Sequence, residues 1–592
     1  MRAVKKSLLA LSCAVITAGT ACGPATDDDT NNGQLEPSAD CSEAPELTPE
    51  MVNGGKTLAG GSCYRVNTRI TVNDGTLTIE PGVVIEFAEN AYMQVTADGR
   101  INAAGTADAP IFFTGVEQIR GHWRGVLVET NSTDNAFDHV VMEYGGGDNW
   151  SGAGNSLVML RVVGKLKITN STFRESANWA LQAYKEADLS GFADNTFESN
   201  ETPAWLSPDR VSDMAGTSEF VDNDNQYVQV SFSNGASITA DGTWKDVGVP
   251  YRISDRTFIN AEWTLDPGVT VENEEEVQIL VNTDGGVIRA LGEEGNPVTF
   301  RGVEALRGHW QGIEVASNTA DNLFQHTVVE HGGGYLWSGD PSSYGALRVV
   351  GKMEIVDSTF RENANYALKA FEQSDLRGFA NNTFENNDVP MWIAPDRVGE
   401  MAGTSQFTGN DEQIVKVSHT NGASVSTDQS WKDVGVPYRV VDRTFVNAAL
   451  TIEAGVTVEF GEEDELHVEE EGSLIVAGTA DNPVLITGVN KVEGYWHGIG
   501  FKSNSTANSI SHATIEYGGS NAWSGNTNNQ STIFLAKGTL DLESTAINYS
   551  EGHGIYIADG AAISSCEGVT FDGNVKENVF NDSSPEAACN LI

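Results

Sequence analysis

Residues 170–200 read NSTFRESANWALQAYKEADLSGFADNTFESN and carry the clearest signal of the fold class. Asn-Ser-Thr-Phe at 170–173 is followed by Asn-Thr-Phe at 195–197, and Phe360 and Phe384 repeat the spacing of Phe173 and Phe197. The segments around them are short, rich in β-branched and aromatic residues, and bounded by Gly, Asn and Asp, a pattern typical of strands joined by tight turns. A strand-rich unit of about 24 residues predicts a coil of a parallel β-solenoid, with Asn at a fixed corner bonding the backbone of the next coil.

A longer repeat contains this shorter one. Trp-Lys-Asp-Val-Gly-Val-Pro at 244–250 returns at 431–437, and Gly121-His122-Trp123 has counterparts at 308–310 and 494–496. Self-similarity at a nearly constant step indicates a repeat architecture. The sequence therefore predicts three long repeats of about 187 residues, at 64–250, 251–437 and, in a shortened form, 438–592.

The composition excludes several classes of protein. The chain has 592 residues, 83 Asp and Glu against 35 Lys and Arg, and a formal charge of −48. Phosphate recognition needs a basic face, so we expect no nucleic-acid partner. Hydrophobic residues make up 40% and there are 12 Trp, which excludes a wholly disordered chain. A long exposed rod that must stay soluble accounts for the charge.

The first residues predict export. Basic Arg2, Lys5 and Lys6 precede an apolar run and the small residues 18–21, so residues 1–21 are predicted to be a signal peptide. The segment Gly19-Thr20-Ala21-Cys22-Gly23 resembles a bacterial lipobox, with Gly19 where Leu is usual, and this resemblance implies a lipid anchor at Cys22. Residues 22–40 are predicted to be a polar tether. The alternative is plain secretion, and no later segment is apolar enough to cross a membrane.

Cys13 lies within the predicted signal peptide, and the other four cysteines form two close pairs, one at each end of the repeats. Cys41 and Cys63 lie before the first repeat, and Cys566 and Cys589 lie at the end of the third. An exported chain favours disulfides. We therefore predict an N-terminal cap at 41–63 and a C-terminal cap that closes the third repeat, because the ends of a solenoid expose unpaired strands.

Three segments show a family resemblance. They are TLTIEPGVVIEF at 76–87, GTADAPIFFTG at 105–115 and IEYGG at 515–519. They resemble bacterial surface proteins built on a right-handed parallel β-helix, the pectate-lyase-like fold. The resemblance implies an all-β, right-handed solenoid at the cell surface. It does not separate an enzyme from a stalk, because this fold carries lyases, hydrolases and epimerases as well as structural stalks.

One motif of each repeat could form a ligand site. Positions i and i+4 of a strand share a face, so a His and a Glu four residues apart are predicted to point outward together, with a Trp of the following Gly-rich loop nearby. Such a trio could bind a sugar ring or a metal ion. The alternative is that the Trp packs on a neighbouring coil and the His and Glu pair across the surface. The candidate residues are His139, Glu143 and Trp150; His326, Glu330 and Trp337; and His512, Glu516 and Trp523.

Two further sets of residues favour a structural role. Trp123, Trp310 and Trp496 occupy the same place in each repeat and are expected to pack. The acidic runs at 274–276, 462–465 and 469–471 are expected to be solvated; Ca²⁺ binding through their oxygens is the alternative. No other cofactor and no dedicated metal site is expected.

The sequence assigns no catalytic residue. It has no GxSxG elbow, HExxH motif or phosphate loop, and we see no carboxylate cluster confined to one repeat. Repeated outer features favour a stalk or a multivalent binder. We therefore predict a non-enzymatic surface lipoprotein of the outer membrane, used for adhesion, envelope structure or glycan binding, with a polysaccharide or another cell-surface component as partner. The alternative is an extracellular polysaccharide lyase or hydrolase.

Overall fold

The computed structural model describes residues 35–37, 39, 41–150, 156–231, 236–340, 343–418, 423–524 and 527–583. The chain divides into two compact units, 1–38 and 39–592, and the strands and helices given below belong to the second. The predicted signal peptide, the anchor Cys22 and Cys589 lie outside the described residues. These predictions therefore stay predictions.

The second unit is built almost entirely from short strands. Those of the first repeat and of the segment before it are β1 (Thr57–Leu58), β2 (Cys63–Val66), β3 (Arg69–Ile79), β4 (Val84–Phe87), β5 (Tyr92–Ala104), β6 (Ile111–Gly115), β7 (Gly125–Val128), β8 (Ala136–Asp138), β9 (Val140–Glu143), β10 (Val158–Val162), β11 (Lys167–Thr169), β12 (Thr172–Arg174), β13 (Trp179–Ala183), β14 (Thr196–Glu198), β15 (Thr202–Leu206), β16 (Glu219–Val221), β17 (Val228–Val230), β18 (Ala236–Ile238) and β19 (Gly242–Trp244). Those of the second repeat are β20 (Tyr251–Ile253), β21 (Thr257–Ile259), β22 (Glu262–Leu265), β23 (Thr270–Asn273), β24 (Gln278–Val281), β25 (Val287–Leu291), β26 (Val298–Gly302), β27 (Gly312–Val315), β28 (Leu323–Gln325), β29 (Thr327–Glu330), β30 (Leu347–Val349), β31 (Glu354–Val356), β32 (Thr359–Arg361), β33 (Tyr366–Ala370), β34 (Thr383–Glu385), β35 (Val389–Ile393), β36 (Gln406–Thr408), β37 (Val415–Val417), β38 (Ala423–Val425) and β39 (Gln429–Trp431). Those of the third are β40 (Tyr438–Val440), β41 (Thr444–Val446), β42 (Ala449–Glu453), β43 (Thr457–Phe460), β44 (Glu465–Val468), β45 (Ser473–Ala477), β46 (Val484–Gly488), β47 (Gly498–Phe501), β48 (Ser509–Ser511), β49 (Ala513–Glu516), β50 (Ser531–Leu535), β51 (Thr539–Glu543), β52 (Ala546–Asn548), β53 (His553–Ile557), β54 (Ala562–Glu567), β55 (Thr570–Asp572) and β56 (Val579–Asn581).

Helical turns are few and short. The described ones are α1 (Pro49–Val52), α2 (Pro208–Val211) and two 3₁₀ turns, Pro395–Glu400 and Thr527–Asn529. The pairings between these strands are parallel, as in β12 against β14 and β14 against β16. The all-β parallel β-helix is therefore confirmed, and it is consistent with the right-handed class.

The coils are less uniform than the sequence spacing predicts. The side chain of Asn195 bonds the preceding coil across a separation of 24 residues, and that of Asn223 does so across 23 residues. Glu272, however, bonds an arginine of the preceding coil only 20 residues away. Glu314 and its arginine partner on the next coil are separated by 34 residues. The coils therefore differ in length, and the longer ones carry loops at their corners.

Inward-pointing side chains form one continuous core. The rings of Phe173 and Phe197 stack with their centroids 4.9 Å apart, and those of Phe197 and Phe220 with theirs 5.2 Å apart. Parallel pairing in register brings like residues above one another, so each coil extends the stack. Burial of these apolar columns provides the main stabilisation.

Asparagine ladders lie at two corners of the coils, one before and one after the strands that contain Phe197 and Phe384. The side-chain oxygen of Asn387 accepts the backbone N–H of Asn363 at 3.0 Å, and its Nδ2 donates to the carbonyl of Phe360 at 2.9 Å. Asn410 accepts the N–H of Asn387 in the same way. At the other corner, before Thr-Phe, Asn195 makes a similar pair of bonds to the coil before it. The ladder predicted before Thr-Phe is confirmed at Asn195, with its bonds to the preceding coil and not to the next one. Both ladders satisfy backbone groups that no strand partner reaches.

We expect Asn387→Ala to lower the free energy of unfolding by about 3 kcal/mol, because it leaves the buried N–H of Asn363 and the carbonyl of Phe360 without their partner. Urea unfolding followed by circular dichroism measures the change. Asn504→Ala, at an exposed position, is the matched control and should change stability by less than about 0.5 kcal/mol. Equal losses in both variants would contradict a stabilising role for the ladder.

Successive repeats begin on different faces of the coil. Strand β2 is at the end of the seven-stranded sheet β2-β4-β6-β9-β12-β14-β16. Its counterpart β20 does not continue this sheet; it pairs with β17, which follows β15, β13, β10 and β7 on the neighbouring face. Strand β40 shifts again in the same way, since it pairs with β37, which follows β35. Equivalent surface motifs of the three repeats therefore point to different sides.

The N-terminal segment of the unit covers the first coil. Cys41 and Cys63 form a disulfide with their Cα atoms 5.3 Å apart, as predicted. The side chain of Asn53, next to α1, donates to the carbonyl of Thr71 and accepts the N–H of Asn73. These bonds occupy the edge of β3. Cys566 is also disulfide-bonded, while its predicted partner Cys589 lies outside the described residues.

Candidate functional site

The candidate histidines do not lie in strands. His139, His326 and His512 each precede a strand and have positive φ angles of 51°, 42° and 48°. They therefore occupy a tight left-handed corner, and the alternation that would place them on the same face as the glutamate four residues later does not apply. The predicted outward His/Glu pair is wrong for this reason. Nδ1 of His139 lies 3.1 Å from its neighbour Asp138 instead.

The candidate glutamates join one coil to the next. Glu143 is 1% exposed; one oxygen accepts from Thr114 at 2.8 Å, and the other accepts from Nε of Arg174 at 2.6 Å. Glu330 and Arg361 form the same pair in the second repeat at 2.5 Å. In the third, Glu516 accepts from Thr487 and Lys491. These carboxylates are bound by the protein itself, so their described contacts fasten one coil to another.

The tryptophans of the Gly-x-Trp motif lie in the core and donate hydrogen bonds to the backbone of the same glutamates. Trp123 is fully buried, stacks on Phe87 at 4.1 Å and donates from Nε1 to the backbone carbonyl of Glu143 at 2.8 Å. Trp310 and Trp496 donate in the same way to the carbonyls of Glu330 and Glu516. The predicted packing role of these tryptophans is confirmed.

The loop tryptophans Trp150, Trp337 and Trp523 build a separate place on the surface, which we call the tryptophan site of each repeat. Each Nε1 donates to a backbone carbonyl eight residues later, at 2.9 to 3.0 Å. We include in each site the residue that starts an underlying strand and the residue after the Gly-x-Trp motif. These pairs are Tyr92 and Arg124, Gln278 and Gln311, and Glu465 and His497. Trp337 itself does not line the cavity beside Gln278 and Gln311, and its ring lies 5.4 Å from the guanidinium of Arg348. Because the repeats shift from face to face, the three sites lie in different sheets.

The first tryptophan site is filled by its own side chains. The guanidinium of Arg124 lies 4.4 Å above the ring of Tyr92 and 5.7 Å from that of Trp150, and it also pairs with Asp148. The rings of Tyr92 and Trp150 meet edge to face at 5.4 Å. Stacked cation–π contacts of this kind leave little of either aromatic face for a ligand.

The third tryptophan site contains a carboxylate between two imidazoles. Oε2 of Glu465 lies 2.5 Å from Nδ1 of His497 and 3.1 Å from Nε2 of His467, and its other oxygen pairs with Arg443. The indole of Trp523 stacks on His497 at 4.2 Å. Burial would raise the pKa of Glu465, but the neighbouring His467 and His497 outweigh burial and hold this pKa well below its usual range.

The second tryptophan site is open. Gln278 donates to Gln311 at 2.9 Å, and Gln311 donates to the carbonyl of Leu336 at 3.2 Å. These amides line a cavity of about 900 Å³, whereas the pocket lined by the candidate His512 has a volume of about 270 Å³. The two amides bond to each other and do not fill the space that stacked rings occupy in the first and third repeats.

Sequence reasoning missed the residues beneath the tryptophans. The carboxylate of Glu465 between His467 and His497 is confined to the third repeat, because Tyr92 and Gln278 occupy its place in the other two. A signal was present: the residue after each Gly-x-Trp changes from Arg to Gln to His, although the motif itself is kept. Variation at one position of a repeat marks where the repeats differ in chemistry.

Asp464, next to this cluster, makes stability depend on pH. Burial raises the pKa of Asp464 to about 6, and the charges of Asp442 and Glu465 act in the same direction. A raised carboxyl pKa means that the folded state holds the proton more tightly than the unfolded chain. The stability contributed by this proton is present at low pH and is lost as the pH rises through about 6.

We therefore expect Asp464→Asn, which keeps an acceptor for the N–H of Asp442, to gain stability relative to the unaltered protein as the pH rises from about 4 to about 6. Calorimetric melting temperatures of both proteins across this range measure the difference. Asp541→Asn, at another site of the third repeat, serves as control. A constant difference between the Asp464 variant and the unaltered protein would contradict the assignment.

The acidic runs have mixed surroundings. Glu469 and Glu470 pair with Lys502 and Lys537 near the surface, as expected for solvated acidic residues. Glu465 is buried, so the expectation of a solvated run is wrong for this residue. Within the described parts of the chain, one group of three metal-ligating side chains has its ligand atoms mutually within 4.8 Å, and it consists of Cys41, Cys63 and Glu86. Two of these three are the disulfide sulfurs, so this group is not a metal site.

Parallel coils with a packed apolar interior and polar loop sites define a parallel β-helix protein. A comparison with family models matches residues 51–166 and 425–537 to the pectate-lyase-like β-helix domain. These two stretches of the chain are therefore similar to that domain. A comparison with curated proteins finds no match. Within the described residues, no helix has the length and apolar character that a membrane span requires.

Proposed function

We propose that this protein is a non-enzymatic lipoprotein of the cell surface, whose β-helix acts as a rod for adhesion, envelope structure or glycan binding. In this proposal Cys22 carries the lipid in the outer membrane and residues 22–40 are the tether. A polysaccharide or another component of the cell surface is the partner, and neither a metal nor another cofactor is required.

The shift of each repeat to a new face is the observation that supports this proposal best. Glycan-cleaving enzymes need acidic and basic groups held together along one bound chain. Here the equivalent glutamates on β9, β29 and β49 lie in three different sheets, and they are bound to residues of neighbouring coils. Such a surface favours a spacer that displays similar features on several sides.

Two measurements test the proposal. Cys22→Ala should move the protein from the membrane fraction to the soluble exported fraction, whereas Cys13→Ala, the control within the predicted signal peptide, should leave it with the membranes. Retention of the Cys22 variant in the membrane would contradict the anchor. The purified protein should release no new reducing or unsaturated ends from a panel of acidic and neutral polysaccharides, and their appearance would contradict the non-enzymatic rod.

A second candidate function is an extracellular polysaccharide-active enzyme, and the third tryptophan site favours it. Glu465 and Asp464 have pKa values displaced in opposite directions, an arrangement that acid–base catalysis uses. If the enzyme function is correct, the panel should show cleavage that Glu465→Gln abolishes. Glu470→Gln, at an exposed acidic residue nearby, should leave the cleavage unchanged.

A further inference from the structure

The cavity at the second tryptophan site has the side chains of a binding site. Its aromatic rings are those of Phe258, Tyr335 and Tyr344, and its amides are Gln278 and Gln311. Its volume of about 900 Å³ lies in the range of pockets that hold small ligands. The space is therefore large enough for a ligand of several rings.

Comparison of the three repeats explains why this site is open. Tyr92 and Arg124 fill the first site by stacking, and the Glu465 and His497 pair fills the third beneath Trp523. Gln278 takes the place of Tyr92 and Glu465 in the second repeat. The opening thus comes from side-chain identity at a fixed backbone position.

Because Gln278 stands where the third repeat has Glu465, the arginine that pairs with this glutamate has no such partner in the second repeat. Arg443 of the third repeat pairs with Glu465, and Arg256 is its counterpart one repeat earlier. Arg256 lines the cavity, is exposed and has no ion-pair or hydrogen-bond partner among the residues that the structure describes. Its guanidinium can donate several hydrogen bonds to oxygen atoms of a ligand.

Charge decides the class of ligand. Asp255, Glu275 and Glu276 line the cavity beside the single cation Arg256, and the whole chain has a charge of −48. An anionic sugar would meet repulsion both at the wall and at long range. Planar amides and carboxylates, which together donate and accept hydrogen bonds next to aromatic rings, suit a ligand with many hydroxyl groups and apolar ring faces.

One wall is fixed in advance. The hydroxyl of Tyr335 donates to Glu275 at 2.8 Å, and the neighbouring Leu336 is 40% exposed. The tyrosine ring and the leucine together form an apolar surface held in place by a hydrogen bond. A wall ordered before binding lowers the entropy lost when a ligand is taken up.

We propose that the second tryptophan site binds a neutral oligosaccharide, with ring faces on Tyr335 and Leu336 and hydroxyl groups on Gln278, Gln311 and Arg256. This inference rests on the proposed glycan-binding function and assigns it to one repeat and one class of glycan. The first and third sites do not bind glycans in this proposal, because their own side chains fill them.

Isothermal titration of the purified full chain with cellohexaose, maltohexaose and xylohexaose, and with an oligogalacturonate, tests the site. We expect one neutral oligosaccharide to bind per chain and the oligogalacturonate to bind at least about tenfold more weakly. The double variant Gln278→Tyr, Gln311→Arg places the residues of the first repeat at the same backbone positions of the second. It should fill the cavity and reduce the affinity at least about tenfold. Gln94→Arg, the same kind of exchange on the first repeat, should leave the affinity unchanged.

Three results would overturn the inference: no neutral hexasaccharide binds, the oligogalacturonate binds more tightly, or the double variant binds as well as the unaltered protein. Failure of the proposed function would give different results. The polysaccharide panel would show cleavage products, or the intact chain would bind no glycan and no cell surface. Binding that survives the double variant would keep a glycan-binding rod and remove only this site.

Discussion

Replacing Trp123 with alanine is expected to lower the free energy of unfolding by about 3–5 kcal/mol, the largest effect we expect from a single substitution outside the disulfides. The indole is fully buried and lies against Phe87 with the ring centroids 4.1 Å apart. Its removal leaves a cavity inside the coil. It also leaves the carbonyl of Glu143, which accepts from Nε1 at 2.8 Å, without that donor.

Two further variants separate these contributions. Trp123→Phe keeps most of the apolar volume but loses the N–H donor, so its loss should be smaller than that of the alanine variant. Trp150→Ala removes a partly exposed tryptophan of the same repeat and should cost less than either. Denaturant unfolding of the three variants provides the comparison. If Trp150→Ala were as destabilising as Trp123→Ala, the distinction between core and loop tryptophans would be wrong.

Replacing Arg174 with alanine is the second large effect. Its side chain is 5% exposed and pairs at 2.6 Å with Glu143, whose side chain is 1% exposed. Removing one partner of a buried pair leaves an uncompensated charge, so we expect a loss of about 3–5 kcal/mol. Neutralising the partner as well, in Arg174→Met with Glu143→Gln, should recover most of this loss.

The chain itself supplies the control for this prediction. Arg361 occupies the equivalent position of the second repeat and pairs with Glu330, but its side chain is 44% exposed. Solvent reaches this arginine, so water can take over part of its contact with the buried Glu330, and Arg361→Ala should cost less than Arg174→Ala. Denaturant unfolding at neutral pH measures both variants. Equal losses at the two positions would show that burial does not set the strength of these pairs.

Much of the fold was predictable from the sequence because a solenoid is periodic. The Phe173 to Phe197 spacing predicts the stacked phenylalanines, and Asn195 before Thr-Phe predicts the corner ladder. The pairing of Cys41 with Cys63 was predicted as well. Each of these features depends on residues one coil apart, so their separation along the chain is enough to predict that they come into contact.

The candidate site was predicted less well. The spacing of His139 and Glu143 suggests a shared strand face, but a left-handed corner separates His139 from β9. Glu143 contacts Arg174 across a coil of 31 residues that contains a long loop. Because loops differ in length, no fixed repeat spacing predicts this partner. The tryptophan sites collect residues from two strands and a loop, so only the folded chain brings Glu465 to His497.

The sequence by itself determined that the chain is an all-β solenoid with three related repeats, because near-identical motifs at a nearly constant step require similar local structure. Only the tertiary structure decided where those repeats point. The face on which a repeat starts depends on which strand of the preceding coil pairs with its first strand, as β17 does with β20. That choice of strand partner gives three similar motifs three different directions, while the different chemistry of the three sites comes from the side chains of Tyr92, Gln278 and Glu465.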